Sequence, residues 1–405
     1  MKFCYGRPMG FGPKRRVATQ YALMFGGMGV SLPYAGLWMK AQGLSGAEIG
    51  VLLAAPMLGR LATGPAIAVW ADGFRYRRTP IALLAALSAL GYGAAGLAGG
   101  FLAWAVFWFV GATCAAALLP LTDVLTLRLS RREGFAFAAP RGVGSAAFVC
   151  ANIAMGFLLR TAGSEAVIVT VALIYVAVAL AACRALPAEP VRDGPPLPGW
   201  ERFRGMGRLL RDPALVAALA AIGAVQAAHA FYYGFSAILW RAQGIEPHLT
   251  GLLWAFAVMA EIMLMWIVEP WRRRHGVGAW TVLMIAAAAA TVRWLLMAAT
   301  PPLWGLWPLQ ALHALSFAAN YLAGVELVEK LAPPDSQTAA QTLSSTLSAG
   351  VLIGVATLAS GPLYDAWGAG GYLAMAGLSA LGLIAGLGLQ PMLARRDQWR
   401  GNKAI

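Results

Sequence analysis

The chain has 405 residues, of which 60% are hydrophobic and only 12% charged, with a formal net charge of +14. That balance excludes an ordinary soluble domain, which carries about twice the charged fraction. Apolar runs of about 20 residues recur, each long enough to cross a hydrocarbon core of ~30 Å, and the short alternating segments of a membrane barrel are missing.

The runs predict an all-α membrane protein with twelve spans, at 17–38, 47–69, 79–98, 102–126, 140–160, 165–184, 213–239, 249–269, 279–299, 303–326, 338–360 and 370–391. The first apolar stretch is too long for a cleaved signal peptide and reads as span 1. It carries Tyr21, Phe25, Tyr34 and Trp38. Span 2 holds Arg60 between Pro56, Gly64 and Pro65, and the loop after it reads WADGFRYRR from Trp70. Span 4 ends on Pro120 and Asp123, and span 5 begins with Arg141. From Leu186 to Asp212 the chain is polar and rich in proline, so it reads as a linker between an N-terminal half (1–185) and a C-terminal half (213–405). Within it, Trp200 to Leu210 mixes basic and apolar residues, either as a short helix on the membrane surface or as plain linker.

Span 7 brings His229, Phe231, Tyr232, Tyr233 and Phe235, and span 8 brings Glu261 ahead of EPWRRRH. Span 9 carries Arg293. Span 10 carries His313, Asn320, Tyr321 and Glu326. The four cysteines (Cys4, Cys114, Cys150 and Cys183) lack metal-type spacing, and the three within spans read as buried free thiols.

With the N-terminus inside, the basic residues fall on one side. Lys2, Arg7, Lys14, Arg15 and Arg16 precede span 1, and Arg75, Arg77, Arg78, Arg128, Arg131, Arg132 and Arg272 to Arg274 follow in later inside loops. The outside segments hold only Lys40, Arg160 and Arg241. This is the positive-inside asymmetry, and it places both termini in the cytoplasm. It also accounts for the net charge without a polyanion, so nucleic acid is not expected as a partner.

The halves resemble each other. Setting Lys40 against Arg241 aligns AQG with AQG and Gly50 with Gly251, and at the same offset Arg60 falls opposite Glu261. Two parallel six-helix repeats about an axis along the membrane normal are the expected result, and one chain holding both halves is sufficient as a monomer.

Several stretches go further than architecture. AAHAFYYGFSAILWRAQG from Ala227, GLLWAFAVMAEI from Gly251, PLTD from Pro120, TVRWLLMAAT from Thr291 and LQALHA from Leu309 resemble the phenylpropionate permease branch of the major facilitator superfamily. The resemblance runs through nearly the whole chain. It implies proton-coupled import of a small aromatic acid such as 3-phenylpropionate across the bacterial inner membrane, by alternating access. Related permeases carry sugars or nucleosides. The superfamily's loop between spans 2 and 3 reads like GxxxDRxGRR. Here Asp72, Arg77 and Arg78 remain, while Ala68 replaces the first glycine and Gly73 the arginine after the acid.

Charges inside spans cost at least about 2.5 kcal/mol each at the helix centre, so they mark partners or a polar path. Asp123 and Arg141 lie at similar depth and form either an inward gate or a static salt bridge, with Asp123 a candidate proton site. Arg60 and Glu261 are the candidate pair between the halves. Glu261 is the leading candidate for a proton-accepting carboxylate, and a permanent ion pair is the alternative. Arg293 serves either as a partner for Glu261 or as a receptor for a substrate carboxylate. His229 and His313 are either hydrogen-bonded structural residues or a substrate contact and a proton relay, respectively. Tyr34, Tyr233 and Asn320 are candidate substrate contacts. Trp38 and Trp240 read as interfacial aromatics.

A membrane enzyme is disfavoured, because all loops but the linker are short and no nucleophile elbow, Walker motif or metal spacing is present. No cofactor is expected. A non-transporting sensor on the same fold remains an alternative.

Overall fold

The computed structural model describes residues 12–191, 206–333 and 336–402. The tail with Lys2, Cys4 and Arg7, and the linker from 192 to 205, lie outside the described residues; the surface-helix expectation for Trp200–Leu210 therefore falls mostly outside them.

Among the described residues the regular structure is helical, apart from one isolated bridge between Tyr76 and Pro190. Ten helical runs among the described residues are long and apolar enough to cross a membrane. The last of them, Ala339–Arg396, is 58 residues long and takes in both of the last two expected spans. The first expected span is helical but too rich in glycine and polar aromatics to reach that apolarity.

The helices fall into two compact units. One comprises residues up to Pro196 together with Gly234–Ala255, and the other Leu197–Tyr233 together with Phe256 onward.

The first unit contains α1 (Pro13–Ala41), α2 (Gly46–Asp72), α3 (Arg78–Leu97), α4 (Phe101–Glu133), α5 (Ala138–Leu158) and α6 (Glu165–Arg184). Local chemistry sets several boundaries. Ser45 caps α2 in a reciprocal box: its hydroxyl accepts from the Glu48 amide at 3.2 Å, and the Glu48 carboxylate accepts from the Ser45 amide at 2.8 Å. Gly134, at φ +72°, ends α4 in the left-handed conformation. Helix α1 packs mainly on α5 and α6, and α3 on α4 and α6. The α1–α5 contact is close enough that a Cβ on Gly29 would sit 2.4 Å from the Phe148 carbonyl oxygen, so a glycine is required there.

Two sequence expectations are corrected in this unit. Trp38 and Trp240 are 1% and 2% exposed, so they pack against protein rather than face lipid. The Trp38 indole donates to Glu165 at 3.1 Å and stacks on Trp108, so its polar edge is satisfied by protein rather than by headgroups. Of the thiols within spans, Cys114 is buried but Cys150 is exposed.

The second unit begins with a single helical turn, Met206–Leu209, and continues with α7 (Pro213–Ala227). Asp212 caps α7, accepting from the Ala214 and Leu215 amides at 3.0 and 3.4 Å, and it also pairs with Arg396. Helices α8 (Ala230–Ala242) and α9 (Pro247–Met263) are shared between the units. There follow α10 (Glu269–Arg274), α11 (Ala279–Ala298), α12 (Leu303–His313), α13 (Asn320–Leu331), α14 (Gln337–Thr346), α15 (Ile353–Trp367) and α16 (Gly371–Asn402). Among the described residues three π-turns interrupt the long helices: Leu264–Val268 after α9, Ala314–Ala319 after α12 and Leu347–Leu352 after α14. Each widens the backbone by one residue and re-aims the side chains beyond it. The first begins three residues beyond Glu261, and the second directly after His313.

Candidate functional site

Span 7 is not one continuous helix. The chain breaks at Ala228 and His229, between α7 and α8, so the His229 ring sits at a turn deep in the second unit. It is fully buried. Its Nδ1 lies 3.1 Å from the Val225 carbonyl, which can only accept, so Nδ1 carries the proton there. Its Nε2 faces the Ser316 hydroxyl at 3.1 Å. Ser316 lies in the π-turn after α12.

Arg293, from α11, is also fully buried. Its Nη1 reaches His313 Nδ1 at 2.9 Å and the Ser316 hydroxyl at 3.3 Å, and its Nη2 reaches Gln310 Oε1 at 2.8 Å. Gln310 in turn donates to the Tyr232 hydroxyl at 2.8 Å. The guanidinium lies 4.7 Å from the Tyr232 ring centre and 4.4 Å from that of Trp294, a stacking that suits its weakly hydrated plane. The other nitrogen of His313, Nε2, stands 3.0 Å from Glu261 Oε1. Arg293 and Glu261 are thus joined through an imidazole rather than directly. The Glu261 side chain is 16% exposed and that of His313 6%.

Within the second unit, four of the residues singled out from sequence therefore form one hydrogen-bonded assembly: His229, Glu261, Arg293 and His313. Tyr233 flanks it, its ring 5.9 Å from that of His229. Gln310, Ser316, Tyr232 and Trp294 complete it and were not picked out as site residues. A signal for two of them existed, because Gln310, His313 and Ser316 are spaced by three and share one helix face.

The other candidates have partners of their own or stand exposed. Asn320 is buried, and its amide donates to the Ile222 carbonyl at 3.2 Å and to Gln226 at 3.4 Å. Its neighbour Tyr321 is 57% exposed. In the first unit the Tyr34 hydroxyl meets the Asn152 and Pro247 carbonyls at 3.1 and 3.3 Å. Arg60 is exposed and has no ion-pair partner among the described residues, whereas Glu261 finds its partner, His313, within its own unit.

Asp123 and Arg141 do meet, with Nη1 2.9 Å from both carboxylate oxygens, and the buried Tyr21 hydroxyl donates to the same carboxylate at 2.5 Å. Asp72 is exposed at the end of α2. The arginines after it bind the start of the linker, Arg77 donating to the Val191 carbonyl at 2.8 Å and Arg78 to that of Leu186 at 3.3 Å. Glu326 pairs with Arg272 at 2.6 Å; Arg272 also forks onto Glu269 at 2.7 and 2.8 Å.

Residues 15–373 match the MFS_1 like family. The chain is 30% identical over 366 residues, 89% of its length and 94% of the relative's, to the probable 3-phenylpropionic acid transporter of Escherichia coli strain K12. It is 28% identical over 95% of both chains to the maltose permease of Geobacillus stearothermophilus. Among solved structures, the nucleoside transporter NupG superposes with a TM-score of 0.78 at 17% identity, over 94% of this chain and 99% of that one. At that identity the likeness speaks for the fold alone. The family and its neighbours are transporters rather than enzymes, and the chain belongs to the MFS_1 like family as a multi-pass membrane transporter of the phenylpropionate permease branch.

Proposed function

We propose that the protein imports a small aromatic carboxylate such as 3-phenylpropionate together with a proton, by alternating access, across the bacterial inner membrane. In this reading the chain makes twelve spans in two six-helix halves (1–185 and 213–405), joined by a cytoplasmic linker at 186–212, with both termini cytoplasmic, and works as a monomer. The observation that carries it is Glu261, a mostly buried carboxylate within a span, 3.0 Å from an imidazole that is itself backed by Arg293. An ionisable group in that setting is expected to be functional, since burial is costly unless its charge is used.

Charge balance supplies the coupling. With Glu261 ionised, it neutralises Arg293 through His313. With Glu261 protonated, the network carries one uncompensated positive charge in a poorly solvated site. A substrate carboxylate restores neutrality. Protonation and carboxylate binding therefore favour each other, which is the thermodynamic requirement for symport. The partly exposed rings of Tyr233 and Phe317, which flank His229, supply faces on which a phenyl group stacks.

A second reading, transport of a sugar, nucleoside or other small metabolite, draws on the likeness to the maltose permease. The test is uptake of radiolabelled 3-phenylpropionate into proteoliposomes, with and without an inward proton gradient, for the unaltered protein and Glu261→Gln. Accumulation driven by the gradient and lost in the variant is the expected result. Absence of uptake by folded protein sinks the aromatic-acid assignment and moves the search to sugars and nucleosides.

A further inference from the structure

His313 touches both charges of the network, and its protonation can be worked out from its partners. A guanidinium has only donors to offer. Arg293 Nη1, 2.9 Å from Nδ1, therefore donates, and Nδ1 accepts through its lone pair. The ring hydrogen then resides on Nε2, 3.0 Å from Glu261 Oε1, which accepts it. An imidazolium would set an N–H at Nδ1 against the guanidinium N–H.

Neither partner can easily turn away. Gln310 holds the other arm of Arg293 at 2.8 Å, and Tyr232 and Trp294 bracket the guanidinium plane. Phe317 stacks on the His313 ring, 5.2 Å between centres and 13° from parallel, which restrains rotation of the imidazole. The remaining titratable neighbours are His229, 5.3 Å away between ring centres, and Tyr232 at 5.8 Å. His229 has its Nδ1 proton committed to Val225 and its Nε2 turned to Ser316, so it places no acceptor against His313.

We propose that His313 is a positioning residue, a neutral imidazole fixed as the Nε2–H tautomer that carries the influence of Arg293 to Glu261 and does not itself carry the transported proton. This replaces the relay role expected for it from sequence, and it rests on the proton-coupled reading of Glu261. The network then has a fixed polarity running from Arg293 through His313 to Glu261. Only its last member, the carboxylate, is free to change protonation.

Two measurements test it. The first is the nitrogen-15 spectrum of histidine-labelled protein in nanodiscs, with the His313 signals assigned by their loss in His313→Gln. The expected spectrum has a bare Nδ1 and a protonated Nε2 on both sides of neutral pH. An imidazolium signature appearing on the acid side overturns the proposal.

The second compares two variants. A glutamine carboxamide can accept from Arg293 and donate to Glu261, as the fixed tautomer does, but it cannot shuttle a proton. His313→Gln is therefore expected to keep gradient-driven uptake at least about tenfold above His313→Leu, the size of one lost hydrogen bond to a charged group. Loss of gradient drive in both, with downhill uptake retained in both, makes His313 a proton carrier and overturns the proposal. The spectrum is read without substrate, so a wrong substrate assignment, seen as no uptake by the unaltered protein, is distinguished from a wrong tautomer.

Discussion

Asp123 and Arg141 meet directly, with one guanidinium nitrogen 2.9 Å from both carboxylate oxygens, whereas Arg293 and Glu261 are joined only through His313. The first pair is half open to its surroundings, its side chains 39% and 27% exposed. The second assembly is closed, with Arg293 fully buried. Direct contact is the economical arrangement where surrounding polarity already screens the charges. In the buried case, an imidazole between the charges separates them and weakens their attraction, which falls with distance. Adding a proton to Glu261 then forfeits less interaction energy than it would in a direct pair. The half-open pair suits a contact that holds helices together, and the bridged one suits a charge that changes.

The largest effect is expected from removing the buried cation. Arg293→Met leaves Glu261 without its balancing charge and is expected to cost about 3–5 kcal/mol of stability, read as a fall in the unfolding temperature in detergent. Adding Glu261→Gln to it is expected to recover a large part of that loss. The recovery is what separates coupling through His313 from independent packing defects. Strictly additive losses would mean that the two charges do not sense each other, and the contrast with Asp123–Arg141 would collapse.

Next in size is Asp123→Asn, with an expected cost of about 1 kcal/mol, since a partly exposed pair is worth little and the amide still accepts from Tyr21. Raising the salt concentration is expected to shrink the Asp123–Arg141 coupling energy in a double-mutant cycle and to leave the Arg293–Glu261 coupling nearly unchanged. Equal salt sensitivity of the two cycles would mean that the second network is as open as the first.

These two regions also differ in how far they can be read from sequence. Asp123 and Arg141 sit at the facing ends of adjacent spans joined by a short loop, so equal depth alone brings them together. The apolar runs likewise gave the helices, because lipid leaves the backbone no alternative to internal hydrogen bonding. The Arg293 network needed three things that hydropathy does not carry. His229 stands at a helix break with no proline or glycine to announce it. The π-turns after α9 and α12 rotate the residues beyond Glu261 and His313 without a marker in the sequence. The internal repeat set Glu261 opposite Arg60, but an alignment of two repeats carries no information about contacts within one of them, and the His313 contact of Glu261 comes from within its own unit.

The smallest effect concerns Glu326, the acid at the end of span 10. It shares Arg272 with Glu269. Arg272 donates to Glu269 through two nitrogens, at 2.7 and 2.8 Å, and to the Val277 carbonyl at 2.5 Å, while Glu326 takes one contact at 2.6 Å and is 41% exposed. Arg273 adds a third contact to Glu269 at 2.6 Å. Removing the Glu326 charge leaves Arg272 paired and leaves no buried charge orphaned. Glu326→Gln is therefore expected to change stability by about 0.5 kcal/mol or less, and Glu269→Gln by clearly more, because both arginines lose their common acceptor. The order of the two unfolding temperatures is the check. If Glu326→Gln is the more damaging, this cluster depends on its exposed member and behaves like neither of the other two.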